Sequence, residues 1–343
     1  MKNTSILFYC ALIASLAFMS CKDQINTPQV ETNDERIVYT TLDFSNRDAI
    51  PNVVSADSAG MNPKILGPGY AFGVSSKRVL WTTGDSTSKS PSFVISDKNG
   101  GNARALDLST PNGRVQDMYG YAISPDGSMI LFYSHDTTAD RDNLYLCNSD
   151  GSGRRLITNS FDHQTHPCFS PDGKQIAYYR NFDDAHNLKK TIEIASVDGS
   201  SHFMLTGITD AMVDGAGSIV WSAKNMICYV DNDSIFLIKS DGTGKHVVDL
   251  GYTPAWSPTG DTLAISMGDI ELLTSSGTVI ANITNTSGVA EAYPQWSSDG
   301  KHLLVTRWIG DFDNTMLSLE EVTLPDMTTK LIASPGGFGY YVR

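Results

Sequence analysis

The stretch YAISPDGSMILFYS, residues 121–134, decides how the chain reads, because it returns. It recurs as PCFSPDGKQIAYYR at 167–180, PAWSPTGDTLAISM at 254–267 and PQWSSDGKHLLVTR at 294–307, with looser copies FGVSSKRVLWTT at 72–83 and IVWSAKNMICYV at 219–230. Each copy is an apolar strand end, a tight turn and a second strand rich in β-branched and aromatic residues. The turn has a physical basis. Pro125 or Pro171 presets φ, Asp126 or Asp172 offers a carboxylate to nearby backbone N–H groups, and Gly127 or Gly173 accepts a positive φ. The anchor serines are Ser75, Ser124, Ser170, Ser222, Ser257 and Ser297.

Outward from each anchor come a further strand, a second turn and a last strand. The second turns are Asp97-Lys98-Asn99-Gly100, Asp150-Gly151-Ser152-Gly153, Asp198-Gly199-Ser200, Asp241-Gly242-Thr243-Gly244, Ser275-Ser276-Gly277 and Pro325-Asp326-Met327. Four antiparallel strands per unit, at this repeat length, are the mark of a β-propeller. Residues 36–42, 52–55 and 64–66 read as three strands lacking a first, and 337–343 resemble the missing one. Joining the two ends closes a seventh blade and removes exposed sheet edges. Residues 36–343 then average about 44 per unit, whereas six units of about 51 are long for four short strands. The predicted fold is all-β: a seven-bladed propeller forming a single domain over 36–343, with a six-bladed disc and a loose N-terminal hairpin as the alternative. The 29 Gly and 14 Pro are largely its turn residues.

The repeats resemble the WD40-like (PD40) family found in TolB-like propellers and in the propellers of prolyl oligopeptidase-type enzymes. Ser124-Pro125-Asp126-Gly127 and Ser170-Pro171-Asp172-Gly173 carry that resemblance most clearly. It implies architecture rather than activity, because the motif encodes a turn.

Ahead of the propeller, Lys2, an apolar run at 6–19, Ser20 and Cys21 have the layout of a secretory signal, too short to span a bilayer. The segment resembles a bacterial lipoprotein signal, which implies removal of 1–20 and lipidation of Cys21. Residues 21–35 then form a polar tether with almost nothing to bury. The expectation is a cell-envelope protein at the outer membrane, periplasmic or surface-facing, touching the membrane through its lipid anchor only. Cys147, Cys168 and Cys228 sit in apolar strands and read as buried thiols, with one disulfide among them left open.

The chain carries 25 Lys+Arg against 38 Asp+Glu, a net charge of −13, which argues against a nucleic-acid partner. The 41% apolar content excludes disorder. Strand alternation puts the short, stereotyped turns on one face of the disc. The other face receives the second-to-third strand loops and the blade connectors, where lengths vary and binding residues concentrate. The expected binding face comprises His135, Asp136, Asp162, His163, His166, Asp183, Asp184, His186, Asp311 and Asp313, together with Trp308, the tryptophan expected to reach it. Trp221, Trp256 and Trp296 precede anchor serines and are expected in the core. Glu291, Asp231 and Asp233 add to the acidic character of the variable face.

No Gly-x-Ser-x-Gly elbow, Walker loop, dinucleotide fingerprint or His-Glu-x-x-His occurs, so no catalytic residue is assigned. The favoured reading is a non-enzymatic, monomeric propeller that holds a protein or glycan on its variable face and requires no cofactor. The alternative is a metal-dependent lyase or hydrolase. FDHQTHPCFSPDG at 161–173 is similar to the histidine-bearing strand entry of oligogalacturonate lyases, a resemblance that implies a divalent cation held through His163 and His166.

Overall fold

The computed structural model describes residues 35–42, 50–83, 92–110, 113–114, 121–138, 141–158, 163–184, 187–208, 219–309 and 316–342. Every regular element among them is a strand. The chain opens with β1 (Arg36–Thr41), β2 (Asn52–Asp57) and β3 (Lys64–Pro68). Blade one is β4 (Tyr70–Val74), β5 (Arg78–Thr83), β6 (Ser92–Asp97) and β7 (Arg104–Leu106). Blade two comprises β8 (Gly113–Arg114), β9 (Tyr121–Ile123), β10 (Met129–Asp136), β11 (Arg141–Asn148) and β12 (Arg155–Leu156), with β8 and β9 both pairing β10 as two pieces of one inner strand. Blade three is β13 (His163–Phe169), β14 (Gln175–Asp184), β15 (Asn187–Ser196) and β16 (His202–Ile208).

Blade four follows with β17 (Val220–Trp221), β18 (Met226–Asp231), β19 (Ser234–Lys239) and β20 (His246–Leu250). Blade five is β21 (Tyr252–Trp256), β22 (Thr262–Ser266), β23 (Ile270–Thr274) and β24 (Val279–Asn282). Blade six is β25 (Ala290–Trp296), β26 (His302–Ile309), β27 (Met316–Thr323) and β28 (Thr328–Ala333). The last strand, β29 (Gly339–Val342), pairs with β1, Ile37 opposite Tyr341 and Val38 opposite Tyr340. Blade seven is thus β29-β1-β2-β3, and the seven-bladed, end-joined propeller expected from the repeats is the observed fold.

The anchor motif works through its serine. Ser124 is buried; its Oγ accepts the Met129 N–H at 2.9 Å and donates to Asp126 Oδ1 at 2.7 Å. Ser170 does the same with Gln175 and Asp172, and Ser297 with His302 and Asp299. A buried hydroxyl is fully satisfied and the two-strand turn is stapled at a fixed width. Gly127 meets the turn with φ +72°, and a Cβ there would stand 2.7 Å from Ser75 Oγ of the preceding blade, so the glycine also permits blade-to-blade stacking.

Each blade boundary buries its own apolar cluster. Cys168, Tyr179 and Ile194 of blade three meet Trp221 and Tyr229 of blade four, and Trp256 of blade five closes the next boundary against Val220 and Leu237. The blade-seven boundary with blade one joins Val38 and Tyr340 to Val79 and Trp81. Trp221, Trp256 and Trp296 are core residues, as expected. Cys147, Cys168 and Cys228 are all buried, and no two of them form a disulfide; burial pushes the Cys147 thiol up to about 11. Outer-strand cations reach carbonyls in the neighbouring blade's turn, Lys64 to Asn99 and Arg104 to Ser149. At the entry, Glu35 Oε1 accepts the Ser298 N–H in the blade-six anchor turn at 2.9 Å.

The middle hairpins differ from the expected picture. Their polar second-to-third strand segments read as loops, yet β10 and β11 extend through 134–136 and 141–143, and β14 and β15 through 180–184 and 187–191. The pairing extends to Asp136 opposite Arg141 and Asp184 opposite Asn187. Their polar composition hides them, because these ladder ends carry no alternating apolar face.

Candidate functional site

Strand direction confirms two unlike faces. The anchor turns and the third-to-fourth turns share one; the middle-hairpin ends and the blade connectors form the other, here called the variable face. The middle hairpins have strands of five or six residues in blades one, four, five and seven, but eight in blades two and six and ten in blade three. Four extra residues add about 13 Å of ladder.

Near the variable face the inner strands β13, β21 and β25 break register at one repeat position: between Thr165 and Cys168, Tyr252 and Ala255, Ala292 and Gln295. At each break a residue preceding proline takes a positive φ: His166 at 52°, Thr253 at 45° and Tyr293 at 55°. This region is disfavoured for non-glycine residues, most of all for β-branched threonine. Local contacts hold it. Thr253 Oγ1 lies 2.9 Å from Ser266 Oγ and accepts the Tyr293 N–H at 3.1 Å. The Tyr293 ring meets Phe338 edge-on at 4.7 Å, and His166 meets Tyr179 edge-on at 6.0 Å. Bulges of this kind re-aim side chains next to functional sites.

Between blades five and six the bulge of β25 borders a charged network. The Glu291 N–H donates to Gly268 O at 2.7 Å, and the side chain, 2% exposed, lies 3.2 Å through Oε1 from Arg307 Nε. The Thr286 hydroxyl donates to the same oxygen. Arg307 NH1 donates to both oxygens of Glu320 at 3.1 Å. Asp269 Oδ1 accepts the Thr286 N–H and Oδ2 the Asn282 amide, both at 2.9 Å. Burial, with Asp269 adding to it, pushes the Glu291 carboxyl up against the pull of Thr286, Arg307 and the Thr284 hydroxyl. Burial, Asp249 and Asp269 push Glu271 up as well.

The residues expected on this face fall out as follows. His135 and Asp136 end β10, half-buried, and Asp136 Oδ1 accepts the Thr138 N–H at 2.9 Å. His163 opens β13, while Asp183 and Asp184 close β14. His166 stands at the β13 bulge rather than in a connector, because the inner strand reaches further than its apolar residues suggest. Burial and, after it, the charge of Lys190 lower its imidazole to about 3, so it is neutral at physiological pH. Asp162, His186, Asp311 and Asp313 lie outside the described residues, as do Cys21 and residues 1–34.

Trp308 is the correction. It is 7% exposed and packs 5.8 Å from the Tyr293 ring, in a cluster with Tyr70, Phe72, Leu317 and Phe338. Three blades' aromatics converge there, so the indole fills the core instead of reaching the surface. Among the described residues no three His, Cys, Asp or Glu gather as metal ligands. Sequence reasoning passed over Arg307, Glu320, Asp269 and Thr286. The usable signal was a charge inside apolar strands, as in LLVTRW at 303–308 and LSLEEV at 317–322.

No protein-family profile matches the chain. Among curated proteins, dipeptidyl-peptidase 5 of Porphyromonas gingivalis is 26% identical over 158 residues, covering 45% of this chain and 23% of that protein. The match thus spans under a quarter of the relative's length. Among solved structures, a prolyl endopeptidase superposes with a TM-score of 0.64 at 10% identity, covering 96% of this chain and 52% of that one. An oligogalacturonate lyase in complex with manganese gives 0.57 at 12% identity, over 89% and 86% of the two chains. TolB of Acinetobacter baumannii gives 0.52 at 13% identity, over 85% and 79%. At these identities the likeness is one of fold alone: the β-propeller is what the chain shares with them.

Proposed function

We propose that the protein is a non-enzymatic scaffold of the cell envelope, tethered to the outer membrane through an acyl group on Cys21, that holds a protein or glycan partner on its variable face and needs no cofactor to do so. One observation carries the reading. The extended hairpins of blades two, three and six all project to that face, while the opposite face keeps short turns closed by their own serines. Rigid blades presenting hairpins of unequal reach suit recognition of a large surface. The TolB-like fold is consistent with an envelope setting, and the apolar run ahead of Cys21 motivates the anchor.

The test is a comparison of two trimmed proteins. Shortening the β14–β15 hairpin by four residues is expected to abolish capture of the envelope partner or glycan. Shortening the turn at 197–201 on the opposite face is expected to leave capture intact. Equal loss in both, or in neither, overturns the assignment of the face. Cys21→Ser is expected to move the protein from the membrane to the soluble fraction, and membrane retention by that variant overturns the anchor. The metal-dependent lyase reading draws on fold likeness and on His163 and His166. The positive charge of Lys190, which acts on the His166 ring, does not favour a cation there.

A further inference from the structure

The Glu291 carboxylate is the charge on the variable face least accounted for by its neighbours. Its Oε2 is buried and has no hydrogen-bond partner, whereas Oε1 takes the Thr286 hydroxyl and faces Arg307. Burying a carboxylate oxygen away from water is costly unless donors replace the water. Arg307 faces Oε1 through Nε at 3.2 Å without a hydrogen bond from that nitrogen, and its NH1 donates to both oxygens of Glu320. One guanidinium therefore serves two carboxylates, and Asp269 and Glu271 stand nearby with the same sign. The strained bulge at Tyr293 lies two residues along the strand and fixes where Glu291 points. The carboxylates are not gathered at metal-ligand spacing, so a donor-rich organic cation fits better than a metal ion. A planar guanidinium fork matches paired carboxylates, and the network already binds one in Arg307.

We propose that Glu291, with Glu320 and Asp269 around it, forms a subsite for an arginine side chain of a basic protein partner, and that Arg307 is the internal occupant which swings aside to admit it. Arg307 and Glu320, with side chains 21% and 13% exposed, are partly open to solvent, as are Asp269 and Thr286. The proposal rests on reading the variable face as the partner-binding face.

Octa-arginine titrated calorimetrically into the full chain is the probe. Glu291→Gln is expected to weaken binding about tenfold, as loss of one charge from a close pair does. Asp326→Asn, on an exposed turn of the opposite face, is expected to change it less than about twofold. Arg307→Gln is expected to tighten binding more than Lys77→Gln, which removes the same charge from an exposed anchor turn. Binding unaffected by Glu291→Gln, or weakened equally by Asp326→Asn, overturns the subsite. So does octa-lysine competing as well as octa-arginine, or calcium binding that Glu291→Gln removes. If Glu291→Gln fails to fold, the comparison of Arg307→Gln with Lys77→Gln decides. Partner capture lost on trimming the β14–β15 hairpin, with octa-arginine binding indifferent to Glu291→Gln, overturns the subsite and leaves the face standing. Octa-arginine binding that depends on Glu291, alongside capture that ignores the hairpin, supports the subsite and overturns the wider reading.

Discussion

At Ser124 on the short-turn face and at Glu291 on the variable face, a polar side chain is buried beside a sheet, and the two are treated in opposite ways. Ser124 accepts one N–H and donates to one carboxylate, all within five residues of sequence. Glu291 depends on Gly268, Thr286 and Arg307 from three separate segments, and one of its oxygens stays unmatched. The first arrangement is local and repeats around the disc. The second draws on segments of two particular blades. A repeat protein thus keeps its scaffold chemistry short-range and leaves long-range, incompletely satisfied polar groups where specificity is needed.

Closure of the ring comes before either face. Ending the chain after Ser334 removes β29 with Tyr340, Tyr341 and Val342, all buried, and reopens β1 as an edge. Each such side chain contributes about 1.5–3 kcal/mol by burial, so the loss approaches the net stability of about 5–15 kcal/mol typical of a domain. The truncated chain is expected to lose cooperative thermal unfolding; a sharp transition near the parent midpoint would show that the two faces do not depend on the seventh blade.

Within the closed ring, the contrast is sharpened by removing one hydroxyl from each face. Ser170→Ala leaves the Gln175 N–H without its side-chain acceptor and takes the hydroxyl donor from Asp172, which keeps the Lys174 N–H, an expected cost of about 1–3 kcal/mol. Thr138→Ala removes an exposed hydroxyl from the blade-two hairpin and is expected to stay within about 0.5 kcal/mol. Equal costs in denaturant titration would break the distinction.

The smallest effect distinguishes the faces by pH. On the short-turn face, partial burial raises Asp126 and Asp172, but the hydrogen bonds of Ser124 and Ser128, and of Ser170 and Lys174, outweigh it and hold both low. The Ser200 hydroxyl and N–H bring the exposed Asp198 to about 2. Groups held low stabilise above their ordinary 3.8 and lose that contribution as pH falls through the folded value. Glu271 and Glu291 are held high, so their contribution is complete below the ordinary 4.5 and is lost as pH rises through the folded value. Hydrogen exchange, corrected for intrinsic rates, is expected to show protection at 267–271 and 286–291 rising as pH falls from neutrality toward 4.5. Protection at 124–129 and 198–200 is expected to hold until below about pH 4. Parallel behaviour of both regions would contradict the assignment.

These locality differences explain what could be read from residues alone. Ser124-Pro125-Asp126-Gly127 announces its turn because every partner it needs lies within the motif, and the seventh blade was legible because 337–343 repeats the pattern of 70–75. The β14–β15 ladder was not, since RNFDDAHNLKK at 180–190 pairs through backbone without an apolar period. Trp308 looked like a surface residue from its place before a long segment. Its burial depends on Tyr293, Phe338 and Tyr70, which arrive from other blades. Arg307 joins Glu291 and Glu320 across strand pairs that no linear spacing predicts.

The position of Glu35 carries an orientation with it. Because β1 is the second strand of its blade, the chain enters the disc beside the anchor turns, and the Glu35 contact with Ser298 ties it there. A leash attached upstream therefore leaves from the short-turn side. Glu291 and the long hairpins lie on the side of the disc away from that entry point, so the entering chain does not share their face.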